Sequence, residues 1–291
     1  MVVLWYINKS RLQEIIMKKL LIQGVVVILS FIGSWFALKQ IDWVDVFRVN
    51  RVADQTEQKL GDKFWEVYQQ SEKEIQNVHV VNSVDSIVQA ICKANSIDQD
   101  RLKIHILEKT DINAFALPNG HLVVYSGLIL NSDNPEELAG VIGHEIAHIE
   151  LNHVMKKLVK EIGLSVLISM TTGNGGGEII KETAKMLSST AFDRGLEKDA
   201  DMTAVDYLIK AKINPEPFAN FLYKLSTTKS NSIEYFDWIN THPDSKERSE
   251  YIIQYSNGKS TDYLPILSAD QWNRTKAEME NYSKSEKNHG F

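Results

Sequence analysis

Cysteine is almost missing from this sequence: Cys92 stands alone among 291 residues. A single thiol excludes an internal disulfide and says little about the redox compartment. Cys92 lies in the helix-like run Ile87-Val88-Gln89-Ala90-Ile91-Cys92 and reads as a small core residue. A basic surplus is lacking as well. The net charge is −6, with no basic stripe to follow phosphates, so nucleic acid is not expected as a partner. The run Gly173-Asn174-Gly175-Gly176-Gly177 lacks the lysine of a phosphate loop and reads as a flexible lid or connector. What remains is an ordinary globular composition, 43% hydrophobic and 24% charged, enough for one core of catalytic size with appendages.

Charge is absent from Leu20 to Leu38, where Leu, Val, Ile and Phe dominate. About nineteen residues at about 1.5 Å each cover about 28 Å, close to the hydrocarbon thickness of a bilayer. Lys9, Arg11, Lys18 and Lys19 precede the run, and Lys39, Asp42 and Asp45 follow it. The bias of positive charge toward the cytoplasm puts residues 1–19 inside and everything after Leu38 across the membrane, on the periplasmic side. Met17-Lys18-Lys19-Leu20-Leu21 also opens like a secretory signal, which makes Met17 a candidate first residue. Small residues are missing at the cut sites, since Ala37 has Trp35 two before it and Ser34 has Ile32. No cysteine directly follows the run, which removes the usual lipoprotein anchor. The expectation is an uncleaved anchor over 20–38, with secretion into the periplasm after signal cleavage as the alternative.

Residues 42–76 read as one long or broken helix, with Val44, Phe47, Phe64 and Trp65 among its apolar positions and Gly61 as the break. A second helix is expected from about Ser83 to Ala94. Leu102-Lys103-Ile104-His105-Ile106-Leu107 alternates as a half-buried strand, with His105 on the solvated face. Ile112 to Leu117 and His121 to Tyr125 flank Pro118-Asn119-Gly120, turn chemistry that predicts a β-hairpin. This hairpin is either plain packing or an edge that pairs with an extended substrate backbone through Asn113, Ala114, Phe115 and Ala116; the residues alone leave both open. Gly163 to Met170 is apolar but too short to cross a bilayer, so it reads as a buried helix or a piece dipping into the membrane surface. After Trp272 come Lys, Glu, Asn and Ser, a charged helix expected to fray.

Inside an apolar helical run lies Val141-Ile142-Gly143-His144-Glu145-Ile146-Ala147-His148. Residues four apart share a helical face, so His144 and His148 can point two imidazoles at one metal ion. Glu145 then sits beside the water of such a metal, an arrangement suited to peptide hydrolysis with Glu145 as the base. The alternative is a buried helix with two accidental histidines, and a third ligand decides between them. Asp133 or Asn134 caps the helix, Pro135 fits its first turn, and Glu136 and Glu137 suit its positive end. The zincin pattern with a third histidine six residues beyond His148 fails, because Leu151 and Val154 occupy the places of its glycine and histidine. His153 falls five residues beyond His148, about 140° around a continued helix, and reads as a structural histidine facing away. A carboxylate from another helix remains. Glu197 and Asp201 are four apart in Asp193-Arg194-Gly195-Leu196-Glu197-Lys198-Asp199-Ala200-Asp201. Glu197 can complete a His-His-Glu site, and Asp201 can hold the second nitrogen of a ligand histidine. The plain alternative is a solvated acidic face, but Ala200, Val205, Tyr207 and Leu208 give this helix an apolar side.

From about Val81 to Ile253 the chain resembles the membrane-linked gluzincin peptidases, the family of HtpX, BepA and the CAAX prenyl endopeptidases. The likeness rests on Asn113-Ala114-Phe115-Ala116, Pro118-Asn119-Gly120, Ser126-Gly127-Leu128, Glu137-Leu138-Ala139-Gly140-Val141, the helix of His144 and His148 with His153, Glu197 with Asp201, and Thr241-His242-Pro243 followed by Arg248. The resemblance implies a mostly helical, zincin-like α+β domain with a small antiparallel sheet. It implies one Zn2+ on His144, His148 and Glu197, with Glu145 as base, and it puts His242 near the metal. Pro243 biases His242 toward extended backbone and so fixes where its imidazole points. There His242 can stabilise an oxyanion, which is the favoured role, latch the fourth zinc position, or cap a helix beginning near Asp244. Arg248 positions this loop or meets the same developing charge. Two departures stand out: one anchor in place of several spans, and about thirty residues after the domain, too few for the helical repeats by which BepA-like members bind partners.

The expectation is a membrane-tethered zinc endopeptidase: residues 1–19 cytoplasmic, 20–38 anchor, 39–260 catalytic domain and 261–291 charged tail. Its partners are protein or peptide substrates, namely membrane-associated or misfolded envelope proteins. A second reading uses the same cleft to bind misfolded proteins without cutting them, against which intact Glu145 weighs. A purely structural metal site is disfavoured because three protein ligands leave a fourth position open.

Overall fold

The computed structural model describes residues 17–35, 49–173, 176–227, 237–259 and 262–287. Most of the expected cytoplasmic segment, the end of the expected anchor, Val44, Phe47 and the last four residues lie outside them. The chain divides into two compact units, Met1–Ala53 and Asp54–Phe291. In the first unit, α1 spans Met17–Trp35, 19 residues with none of its side chains buried. Among the described residues it is the one helix long and apolar enough to cross a bilayer.

The second unit is built on a three-stranded sheet of β1 (Lys103–Leu107), β2 (Ala114–Leu117) and β3 (His121–Tyr125), in the order β1-β3-β2. The hairpin of β2 and β3 forms as expected, with Asn119 and Gly120 at φ 63° and 71° in its turn. The sheet is mixed rather than antiparallel, because β1 runs parallel to β3. The Ser126 hydroxyl accounts for this pairing. It accepts from the Lys109 N–H at 3.0 Å and donates to the Lys109 carbonyl at 2.8 Å, which pins the exits of β1 and β3 side by side.

Both faces of the sheet are covered. Leu122 and Val124 face a core shared with α3 (Val78–Asn95), α5 (Pro135–Glu150) and α10 (Glu216–Thr227), whereas Phe115, Leu117, Val123 and Tyr125 face α2 (Val49–Ser71), α6 (His153–Glu161), α7 (Leu164–Thr171) and α8 (Gly177–Ser189). Gly61 does not break α2. A Cβ there would lie 2.2 Å from the Pro118 carbonyl oxygen, so glycine is what lets α2 touch the hairpin turn. α3 starts earlier than expected because Asn77 accepts from the N–H groups of His79 and Val80 at 3.0 and 3.3 Å. His105 is not solvated either. It stacks on Trp65 at 3.5 Å and contacts Glu74 and His121, each at 2.9 Å.

After α4 (Ser126–Asn131), α5 begins on an Asn134 cap that accepts from Glu137 N–H at 2.9 Å, while the Glu137 carboxylate accepts from Asp133 N–H at 2.9 Å. α7 is buried on one side through Leu167 and Met170, and Val166 is exposed on the other. α9 (Arg194–Lys210) lies along α5, and α11 (Asp237–Thr241) and α12 (Ser245–Ser256) complete the surroundings. α13 (Ala269–Lys287) is not a frayed tail over its described residues. Trp272, Thr275 and Met279 are buried along one stripe, and the helix packs on α3 and α4.

Candidate metal centre

α5 presents His144, Glu145 and His148, none with any exposed surface. Its neighbour α9 presents Glu197 and Asp201, and the turn after α11 delivers His242. One ligand atom from each of His144, His148, Glu197 and His242 lies within 4.8 Å of the others. Nε2 of His148 is 2.9 Å from Nε2 of His144, which is 3.2 Å from Nδ1 of His242. Glu197 Oε1 is 2.9 Å from that Nδ1 and 3.4 Å from His148 Nε2. Buried ring nitrogens facing one another with a carboxylate between them fit a divalent cation of zinc's preferences, since their lone pairs otherwise repel. His242 thus offers a ring nitrogen to this group, and α12 starts after Asp244 without a side-chain cap.

The outer side of this set is tightly held. His144 Nδ1 lies 2.8 Å from Asp201 Oδ1. Arg248 grips Asp201 with Nε and Nη2 at 2.8 and 2.7 Å, and its Nη1 reaches Glu197 at 2.8 Å and the His242 carbonyl at 3.1 Å. Tyr251 also donates to Asp201. Burial tends to raise the Asp201 pKa, but Arg248 and His144 outweigh it and hold the carboxyl down to about 2. Glu197, where His242 and Arg248 outweigh burial, is held well below the ordinary range. Burial pushes His144 down to about 3 and His242 to about 4, so both rings are neutral and able to donate a lone pair.

His153 does not face away. The α5 helix ends at Glu150, and Asn152 takes a left-handed conformation at φ 57°, so His153 opens α6 in a new direction. Its Nδ1 comes within 3.0 Å of Nδ1 of His148. Glu145 lies with its Oε1 3.4 Å from His242 Nε2. Burial, with Glu197 nearby, drives its pKa well up. The Ala116 N–H and the Trp238 indole N–H lie close enough to oppose that rise, yet neither closes a hydrogen bond with the carboxylate. Ala114, Phe115 and Ala116 form β2 itself, with Asn113 just before it. α8 packs against β2, and the Ser188 carbonyl of α8 accepts from the Asn113 amide at 3.3 Å.

Sequence reasoning missed four side chains here. Trp238 stacks on His242 with centroids 4.5 Å apart, and it lies four residues before it. Tyr251 sits three beyond Arg248, on the same helical face. Phe192 stacks on His148 at 4.1 Å, and Lys157, which donates to the Thr190 carbonyl, lies 4.3 Å over the Phe192 ring. The spacing could have suggested the first two. Phe192 and Lys157 come from segments that carry no site motif.

Comparison with known proteins finds proteases. A beta-barrel assembly-enhancing protease of Yersinia pestis is 26% identical over 193 residues, 60% of this chain and 40% of that protein. The mitochondrial metalloendopeptidase OMA1 of Bos taurus is 28% identical over 236 residues, 75% of this chain and 45% of that protein. Metalloprotease LoiP of Escherichia coli K12 is 29% identical over 166 residues, 54% of this chain and 64% of that protein. The chain therefore spans between 40% and 64% of the length of these relatives. The sequence profile of peptidase family M48 matches residues 79–255, which hold every residue of the donor set. On that match over more than half its length, the chain belongs to peptidase family M48.

Proposed function

We propose that this chain is a zinc-dependent endopeptidase, tethered by α1, that hydrolyses misfolded or membrane-associated envelope proteins. Its catalytic unit would lie on the periplasmic side, an orientation supported by Lys18 and Lys19 ahead of the apolar run. The observation that carries the reading is Glu145, a fully buried carboxylate with two unpartnered oxygens beside a complete metal-donor set. Burying such a group is unfavourable, and its use as a base explains why it is there.

His144, His148 and Glu197 would hold the zinc, with Asp201 fixing the His144 ring and Arg248 fixing Asp201. A zinc ion held there would supply Lewis acidity for the scissile carbonyl and for a water molecule. Glu145 would accept a proton from the attacking water and pass it to the departing amine. His242 Nδ1, 3.2 Å from His144 Nε2, is placed to be a further residue that would hold the metal, which favours the latch role over a donor waiting for the oxyanion. Substrate would align as an extended strand along β2, past Asn113, Ala114, Phe115 and Ala116. Because α8 packs on β2, cleavage then requires α8 to move.

The test is digestion of unfolded casein by the full-length protein in detergent, with and without chelator and with zinc restored. Cleavage that disappears with chelator and returns with zinc supports the reading. Binding of casein without cleavage, in zinc-replete protein, sinks it.

A further inference from the structure

Trp238 has no part in the mechanism above. It sits on α11 without exposed surface, and its backbone carbonyl accepts from the His242 N–H at 2.8 Å. Its own backbone N–H donates to the Ile112 carbonyl at 3.2 Å, which ties α11 to the chain just before β2. The indole lies nearly parallel to the His242 imidazole, at 26° and 4.5 Å. It meets His144 edge-on at 5.8 Å, and the Arg248 guanidinium lies over it at 4.9 Å.

The indole Nε1–H is buried and has no hydrogen-bond partner. Both oxygens of Glu145 and Nε2 of His242 are in the same condition, and Glu145 Oε1 is 3.4 Å from His242 Nε2. A single orphaned polar atom would be a packing fault. Two orphaned side chains beside an orphaned base are a set awaiting the reacting molecules. The indole is also the right kind of group: it donates only, so it can hold a carboxylate without competing for the proton that carboxylate must collect.

We propose that Trp238 is a positioning residue for both Glu145 and His242. Its face fixes the plane of the His242 imidazole. Its N–H holds one oxygen of Glu145 when substrate enters, leaving the other oxygen for the attacking water. The proposal rests on the peptidase reading. Phenylalanine at this place keeps the face and loses the N–H, and leucine loses both.

The test compares full-length wild type, Trp238→Phe and Trp238→Leu on one fluorogenic peptide, with zinc content and the visible spectrum of cobalt-substituted protein taken on the same preparations. Trp238→Phe is expected to lower kcat about tenfold to a hundredfold, the scale of a misplaced catalytic group, with KM, zinc content and cobalt spectrum unchanged. Trp238→Leu should lower kcat further and alter the cobalt spectrum, because His242 loses its backing. Wild-type kcat in folded Trp238→Phe overturns the role of the N–H, and a wild-type spectrum in Trp238→Leu overturns the role of the face. If the leucine variant does not fold, the indole proton–nitrogen resonance that vanishes in Trp238→Phe decides instead. It should shift when a phosphonamidate peptide binds the wild type, and an unmoved resonance overturns the proposal. Equal cleavage by wild type and Glu145→Gln would defeat the peptidase reading, while the spectra and the resonance would still judge Trp238.

Discussion

Nδ1 of His153 lies 3.0 Å from Nδ1 of His148, so a histidine outside the donor set braces the far side of a donor. Loss of such a brace weakens metal binding about 10- to 100-fold. His153→Ala is expected to lose zinc affinity on that scale, and Glu197→Ala considerably more, because there the donor itself is removed. Competition with a fluorescent chelator measures both. Equal losses would mean that the two residues have been ranked wrongly.

Glu145→Gln should keep its zinc and lose turnover by about 10²- to 10⁴-fold, the usual contribution of a positioned base. The amide has nearly the same shape but cannot take a proton. Metal content and cleavage are to be measured on one purified sample, and a Gln variant that cuts at the wild-type rate would remove Glu145 from the reaction.

Lys157 pins the segment leading into α9, through the Thr190 carbonyl and the Phe192 ring. Lys157→Met should free that segment, raise peptide cleavage severalfold and let added trypsin nick α8 at Lys181 and Lys185 sooner. Initial rates and a timed digest read the two effects. No change in either would show that the lysine is packing alone.

Acid should loosen the contact between α2 and the sheet. His121 is buried among His105, Lys103 and Asp62, and burial, reinforced by the charges of Lys103 and His105, takes its pKa from 6.5 to about 4. The unfolded chain takes up that proton near its ordinary pKa, whereas the fold resists until about 4. The stabilisation is therefore complete above the ordinary value, declines as pH falls, and is lost through the folded value, a change on the order of 3 kcal/mol. Urea unfolding at several pH values should reveal the slope, and His121→Gln should flatten it. An equal slope in the variant would place its origin elsewhere.

Local chemistry made much of this legible. The Asn134 cap, Pro135 and the spacing of His144, Glu145 and His148 are properties of one helix, and Glu197 with Asp201 of another, so reading each helix alone was enough. The hairpin turn at Pro118-Asn119-Gly120 was legible for the same reason. Tertiary contacts hid the rest. Gly61 looks like a helix break until the hairpin turn presses on it, and His105 looks solvated until Trp65 covers it. The direction of His153 depends on a left-handed Asn152, a conformation asparagine allows but does not announce. The stripe of Trp272, Thr275 and Met279 was masked by the charges around it.

The contact of α8 with β2 also bears on how such molecules coexist. Every copy of a protease is itself a polypeptide with loops that its neighbours could seize. A four-residue strand left bare beside a cutting centre would recruit the first extended segment to drift past, including one from an identical twin. If β2 takes substrate as proposed, a helix lying over that strand would let a population be stored at full strength without eroding itself. On that reading, proteolysis would begin only where a client competes successfully for the strand.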